Sequence, residues 1–476
     1  MGTNSISKII SVVLITVFFW ACNIPHLSLR KENNKLPSYY FSANDTNNIA
    51  NLSWKKYFND PYLAALIDTA LKNNQELNII IQEIALSKNE IKMRKGEYLP
   101  FVGLFGATGV DKESSYTWPK VIEENIAVKE NKKVIESNND FIFGAKASWE
   151  IDVWKKLRNA KKSAVSRYLA SIEGKNFMIT HLVAEIASSY YELIALDNML
   201  DLVEKNITIQ SNALKVVKEQ KNAAKVTQLA VNRFEAQLLH TQNLKFEIQQ
   251  QIVETENKLN FLSGSYPKTL ARNSTQFFDL AIDSVASGIP SQLLVNRPDI
   301  KQAELELAAS KLDVLSARAN FYPSFSIKAG LGFQAYNPTF LVNPKSIIYN
   351  LAGDLMAPLI NKNAIKANYL NANAKQVQAM YNYEKTVLNA HIDVLNHLNK
   401  ISNYAYSYTT KLQEVNILLQ SVNIANNLFN SARADYAEVL LTQREALESK
   451  MELIEIKMKQ LDAKVNIYRA LGGGWK

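Results

Sequence analysis

Two periodicities alternate along this chain. In 325–334, Phe325, Ile327, Ala329, Leu331 and Phe333 share one face of an extended strand, and Ser326, Lys328, Gly330, Gly332 and Gln334 share the other. In 141–151 the same alternation sets Phe141, Phe143, Ala145, Ala147, Trp149 and Ile151 against Ile142, Gly144, Lys146, Ser148 and Glu150. Weaker versions occupy 101–110 and 347–355. Each stretch is about ten residues long, the length a tilted strand needs to cross a bilayer. Charged and amide groups on one face with aromatic and aliphatic ones on the other is the pattern of a transmembrane barrel, polar inside and lipid-facing outside. Lys146, Glu150, Lys328 and Gln334 are then the lumen-facing strand residues. Phe143, Trp149, Ile327 and Leu331 face lipid. A water-soluble sandwich alternates in the same way. Four strands leave two open edges, which lipid does not tolerate, so the membrane reading requires several copies of the chain to pool their strands.

Between these stretches the period is helical. From 155 to 221 there is no proline and a single glycine, Gly174; from 361 to 434 there is neither. Unbroken helices of that length would each run on the order of 100 Å. The segments that return carry heptads. Positions 440, 444, 447, 451, 454, 458, 461, 465 and 468 are Leu, Arg, Leu, Met, Ile, Met, Leu, Val and Tyr. A comparable series runs from Val231 to Leu262. Sustained heptads predict left-handed coiled-coil pairing, so two antiparallel hairpins are expected, turning near 222–226 and 434–438. A cytosolic coiled coil carries the same heptads; the apolar leader described below and the strands argue against that alternative.

The chain also repeats itself. Segment 71–100 aligns without a gap on 294–323, an offset of 223 residues that pairs Leu71 with Leu294, Ala85 with Ala308, Lys88 with Lys311 and Pro100 with Pro323. Each proline ends a helix, because its ring clashes with the preceding turn. Each copy therefore reads helix, proline, strands, long helix, turn, long helix. A period this long is not that of a solenoid and indicates a duplicated half-unit. The expected divisions are a signal at 1–21, an N-terminal anchor and belt segment at 22–60, a first repeat at 61–264, a linker at 265–293 and a second repeat at 294–473. The polar loop 111–140 in the first repeat is longer than its counterpart, 335–345.

Composition narrows the class. With Gly 15 and Pro 12 in 476 residues and no Gly/Ser/Pro-rich linker, one extended unit fits better than separate beads. The net charge of +9 is spread along helices among glutamates, without basic blocks, so nucleic acid is not an expected partner. Lys8, the apolar run 9–21 and then Cys22 form a signal-like leader. Cys22 is the sole cysteine, so no internal disulfide forms. Following Ala21, it fits a lipidation site at which the thiol takes an acyl group; the alternative is an incidental cysteine in a leader that is simply removed. Past the leader, no run of 18 apolar residues offers a transmembrane helix.

Several stretches together carry a family likeness: WKKYFNDPYLAALIDTALKNN at 54–74, YLP at 98–100, WEIDVWKKLR at 149–158, NRPDIKQAELEL at 296–307, YPSF at 322–325, ADYAEVLLTQREAL at 434–447 and YRALGGGW at 468–475. In this order and spacing the chain resembles the TolC-like outer membrane factor family, and within it the lipoprotein branch of tripartite, RND-type efflux systems. The resemblance implies a mainly α protein with a small β part. Four transmembrane strands per protomer would give a twelve-stranded barrel in a homotrimer, continued by a long coiled-coil α-barrel across the periplasm. Outer membrane lipids, a periplasmic adaptor (membrane fusion) protein and an inner-membrane pump would be the partners. It implies conduction of small molecules or ions, with no cofactor, and a gate at the periplasmic hairpin tips. Asp435 and Glu438 are the acidic residues at the second turn. They read equally as a helix N-cap and a first-turn partner of the helix dipole. Where the family often has glycine before the tip turn, this chain has Asn222 and Ala434. The same architecture serves as a duct for type I protein secretion, which stays open as the alternative. A periplasmic adaptor would carry one hairpin between β-rich domains, and fits less well.

Other chemistry finds no foothold. His26, His181, His240, His391 and His397 form no i,i+4 metal pair. No phosphate-binding loop or nucleophile elbow is present, and an enzyme is not expected. Arg297-Pro298-Asp299 reads as a helix start and 472–474 as a helix-ending glycine run.

Overall fold

The computed structural model describes residues 24–27, 30–33, 35–40, 47–112, 114, 116, 118, 138–280, 286–431 and 433–475. The leader, Cys22 and most of loop 111–140 lie outside the described residues. The main elements are α1 (Pro61–Asn73), α2 (Gln75–Tyr98), β1 (Phe101–Asp111), β2 (Asn138–Ile151), α3 (Lys156–Asn222), α4 (Gln228–Leu262), α5 (Pro298–Ala319), β3 (Ser324–Ala335), β4 (Ile347–Met356), α6 (Asn363–Asn430) and α7 (Tyr436–Ala470). The duplication is visible in the boundaries: α5 starts 223 positions after α2, and β3 starts 223 positions after β1. Two compact units result, one of 1–31, 85–169 and 305–380, the other of 32–84, 170–304 and 381–476.

The first unit holds the strands. They form one antiparallel sheet in the order β1-β2-β3-β4, so its central pair joins one repeat to the other. The register carries the alternation read from the sequence across all four strands. Phe143 lies opposite Gly106 and Phe333, and Phe333 opposite Ile347; Ala145 faces Leu104 and Leu331, and Leu331 faces Tyr349. One face is thus apolar from edge to edge. Beside the sheet, Val314, Phe321 and Tyr369 form a small core, against which Ile24 and Leu27 pack.

The second unit is helical. Its core draws Leu63 and Ile67 from α1, a run from Leu182 to Val203 on α3, Ile248 and Leu259 from α4, and Ile454, Leu461 and Tyr468 from α7. The heptads are the buried seams: Val231, Phe234, Thr241, Ile248, Thr255, Leu259 and Leu262 on α4, and Leu447, Ile454, Leu461, Val465 and Tyr468 on α7. Both hairpins form. The first turn falls at 223–227, where Ala224 adopts the left-handed φ of 56° and the Lys225 N–H closes on the Gln220 carbonyl at 2.8 Å. The unusual backbone position is thus Ala224, not Asn222, through which α3 continues. The second turn, 431–435, starts three residues before the heptads placed it, because Ser431 and Arg433 bond back to Asn427 and Leu428 and end α6 early. The N-terminal segment meets the linker where Asn48 bridges Ser287 and donates to Gln292 at 2.9 Å.

Candidate functional site

The polar face of the sheet is ordered in rows. Gly103, Lys146, Gly330 and Asn350 share one row across all four strands. Phe101, Ser148, Lys328 and Ala352 share the next towards the helices, followed by Glu150, Ser326 and Asp354. Three of the four residues expected on this face have a partner. Lys328 Nζ pairs with Asp354 at 2.7 Å, and Glu150 accepts from Lys156 at 2.6 Å. Gln334 Nε2 donates to both Asp140 oxygens at 2.8 and 3.0 Å. Lys146 is different. Among the described residues no carboxylate pairs with it, and its Nζ stands 6.0 Å from the Phe105 ring centre. Phe101 and Phe105 on this face were not foreseen, because 101–110 alternates weakly.

The opposite face presents Leu331, Tyr349 and Leu351 at 62%, 84% and 78% exposure. A contiguous apolar surface of this kind calls for lipid or another chain. Aromatic residues collect where the strands meet the helices. Trp149 Nε1 donates to the Tyr98 carbonyl at 3.1 Å. Trp154 Nε1 donates to the Pro323 carbonyl at 2.8 Å, and its ring stacks on Tyr322 at 4.7 Å. Indoles that anchor an N–H on a carbonyl and leave the ring partly exposed, as Trp149 and Trp154 do, suit the level at which a bilayer meets water. Trp154 and Tyr322 sit in stretches singled out for the family likeness, yet their pairing needs a contact 168 residues apart.

At the turn ends of the hairpins the two turns lie together. Tyr436 and Leu440 pack against the cluster of Leu214, Val217, Ala230, Val231 and Phe234. A cavity there is lined by Gln220, Val226, Thr227, Phe429, Asp435 and Tyr436. Thr227 caps α4, its hydroxyl accepting from the Ala230 N–H at 3.4 Å. Asp435 occupies the matching backbone position before α7, with φ −79° and ψ 152°, but its carboxylate makes no capping hydrogen bond. Asp435 and Glu438 are both exposed. The carboxylates here are therefore open to solvent.

A buried polar hub elsewhere in the helical unit escaped the sequence reading. Arg297 donates to Asp299 at 2.7 and 3.0 Å, to the Ala470 carbonyl at 2.8 Å and to Asp393 at 3.4 Å. Asp393 also meets His397 at 3.3 Å and Arg469 at 3.9 Å. Burial on its own would raise the Asp393 carboxyl, but the His397 hydrogen bond and the two guanidinium charges outweigh it and hold the group down at about 2. The hub ties α5, α6 and α7 together. Among the described residues no group of His, Cys, Asp and Glu could hold a metal ion, and no helix is long and apolar enough to cross a membrane.

A sheet apolar on one face and charged on the other, with two indoles where its strands meet helices and heptad hairpins in the same chain, defines a membrane-inserting conduit protein. The chain belongs to the outer membrane efflux protein family, whose profile matches residues 66–265 and 289–473. It is 25% identical over 352 residues to the cation efflux system protein CusC of Escherichia coli K12, covering 74% of this chain and 73% of that one. It is also 25% identical over 348 residues to the probable outer membrane lipoprotein SilC of Salmonella typhimurium, covering 73% and 72%. A crystal structure of CusC superposes with a TM-score of 0.83 at 22% identity, over 95% of this chain and all of that one. The chain is thus an outer membrane efflux component; the protein-secretion alternative is not favoured.

Proposed function

We propose that three copies of this chain close a twelve-stranded barrel in the outer membrane. Their paired hairpins continue the duct into the periplasm, towards an adaptor protein and an inner-membrane pump. The observation that carries this reading is the four-strand register, which puts an unbroken apolar face on one side and Lys146, Glu150, Lys328 and Gln334 on the other. Open edges at β1 and β4 supply the demand for further copies. Asp435 and Glu438 stand at the tips as the acidic lining of a gate. Energy comes from the pump, because a passive conduit supplies none.

Lipidation at Cys22 belongs to the same reading. Ile24 and Leu27, just past it, pack on Val314, Phe321 and Tyr369 beside the sheet, so an acyl group on Cys22 would be delivered close to the strands. Native mass spectrometry of the detergent-extracted protein and conductance in planar bilayers test the assembly. A trimer that forms open or openable channels is expected. A monomer without conductance overturns the reading. Intact mass decides the anchor: acyl mass on Cys22 is expected, and a mature chain without it removes that part alone.

A further inference from the structure

We propose that Lys146 sets the charge selectivity of the strand-lined part of the duct, where its copies form a cationic ring that passes anions over cations and retains polyanions. The proposal rests on the reading that copies of the chain close a barrel with the polar face inside. Four polar-face positions look alike in the sequence, and the structure separates them. Asp354 offsets Lys328 and Lys156 offsets Glu150, while Gln334 is neutral and holds Asp140, nearer the β1–β2 connection, by hydrogen bonds that leave its charge in place. Lys146 has no such offset among the described residues.

Its surroundings leave the charge open. Glycines, Gly103 and Gly330, stand on either side of it in its row, and Asn350 completes that row. The next row towards the β1–β2 connection is Phe105, Gly144, Gly332 and Ile348, which carries no charge. Along β2 the nearest carboxylates are Glu150, about 13 Å away, and Asp140, about 20 Å away, at the usual rise of a strand. The Phe105 ring at 6.0 Å attracts the ammonium without neutralising it. In a barrel, every copy places this lysine at one level, with small residues between. Uncompensated like charges in a narrow lumen with low-dielectric walls concentrate counter-ions, and here the counter-ion is an anion. The acidic tips and this ring would then be filters of opposite sign in series, so each must be read separately.

The test is single-channel recording of the full-length, membrane-extracted protein, with inositol hexaphosphate as the polyanion, added in separate runs to each chamber. Wild type should be blocked from the strand end. Lys146→Gln should weaken the block by about tenfold or more and move the reversal potential in a salt gradient towards cations. Lys146→Arg keeps the charge and should keep the block. Lys146→Gln channels with unchanged reversal potential and unchanged block overturn the proposal while leaving the barrel reading intact. Wild-type protein that assembles no channel overturns both.

Discussion

Asn74 donates its side-chain amide to the Leu262 carbonyl at 2.9 Å, fastening the start of α2 to the end of α4. The duplicate does the same with a different residue: Arg297, 223 positions on, donates to the Ala470 carbonyl at the end of α7. A glycine completes each clasp. Gly264, at φ 64°, leaves no room for a Cβ, which would fall 2.3 Å from the Asn73 carbonyl oxygen. Gly472, at φ 91°, would bring one within 2.6 Å of the Asn296 oxygen. The two hairpins are thus closed onto their own repeats by equivalent contacts, and the second adds the charged hub around Asp393.

Alanine at either glycine should therefore be costly. Gly264→Ala and Gly472→Ala combine a left-handed backbone with a steric overlap and should each cost about 1–3 kcal/mol. Gly96 has nothing within 4 Å of its would-be Cβ, so Gly96→Ala should leave stability unchanged or slightly raised. Thermal unfolding of the extracted protein compares the three; equal midpoints would remove the clasp.

The sheet makes a second prediction. Leu331 and Lys328 are three residues apart on β3 and lie on opposite faces. Leu331→Arg should cost roughly 2–4 kcal/mol if it meets lipid near the membrane midplane, whereas Lys328→Arg should be tolerated and keep its pairing with Asp354. Folding yield in lipid vesicles measures both, and equal tolerance would refute the face assignment.

Much of this was legible beforehand because period and proline are local signals. The strands fall within three residues of their expected bounds, and Pro100 and Pro323 separate helix from strand in both repeats. What stayed hidden was pairing across the sequence. Lys146 and Lys328 look equivalent until the β3–β4 register brings Asp354 to one of them. Arg297 was read as a helix start, and α5 does begin at Pro298; its burial depends on Asp393, 96 residues away on a helix whose inward face is not set by a clean heptad. The second turn moved because backbone hydrogen bonds at the end of α6, not the seam of α7, fix where the chain reverses.

The Asp393 hub should appear in the acid limb of stability. Its folded value of about 2 lies below the ordinary 3.8, so the unfolded chain binds this proton more tightly. The stabilisation is complete above about pH 4 and is lost as the pH falls towards about 2. Asp393→Asn leaves Arg297 and Arg469 with a weaker partner and should cost about 2–3 kcal/mol at neutral pH. Acid unfolding curves of variant and wild type should therefore converge at low pH. A gap that stays constant across that range would mean the loss is one of packing and not of charge.

The tips supply the last prediction. Asp435 holds the N-cap backbone position of α7 without using its carboxylate as a cap, while Thr227 does cap the neighbouring hairpin. Asn caps a helix about as well as Asp, so Asp435→Asn should leave helix stability nearly unchanged. Its effect should fall on charge instead. If copies of Asp435 approach one another around an axis, together with Glu438, they form an acidic ring that attracts cations and is plugged by multivalent ones. Asp435→Asn should then weaken block by trivalent cations added from the hairpin side and lower cation preference, without changing the block by polyanions at the strand end. Single-channel recordings with hexaamminecobalt(III) on the hairpin side measure this directly. Unchanged conductance, selectivity and cation block would place the gate elsewhere on the hairpins and leave Asp435 as a helix-start residue alone.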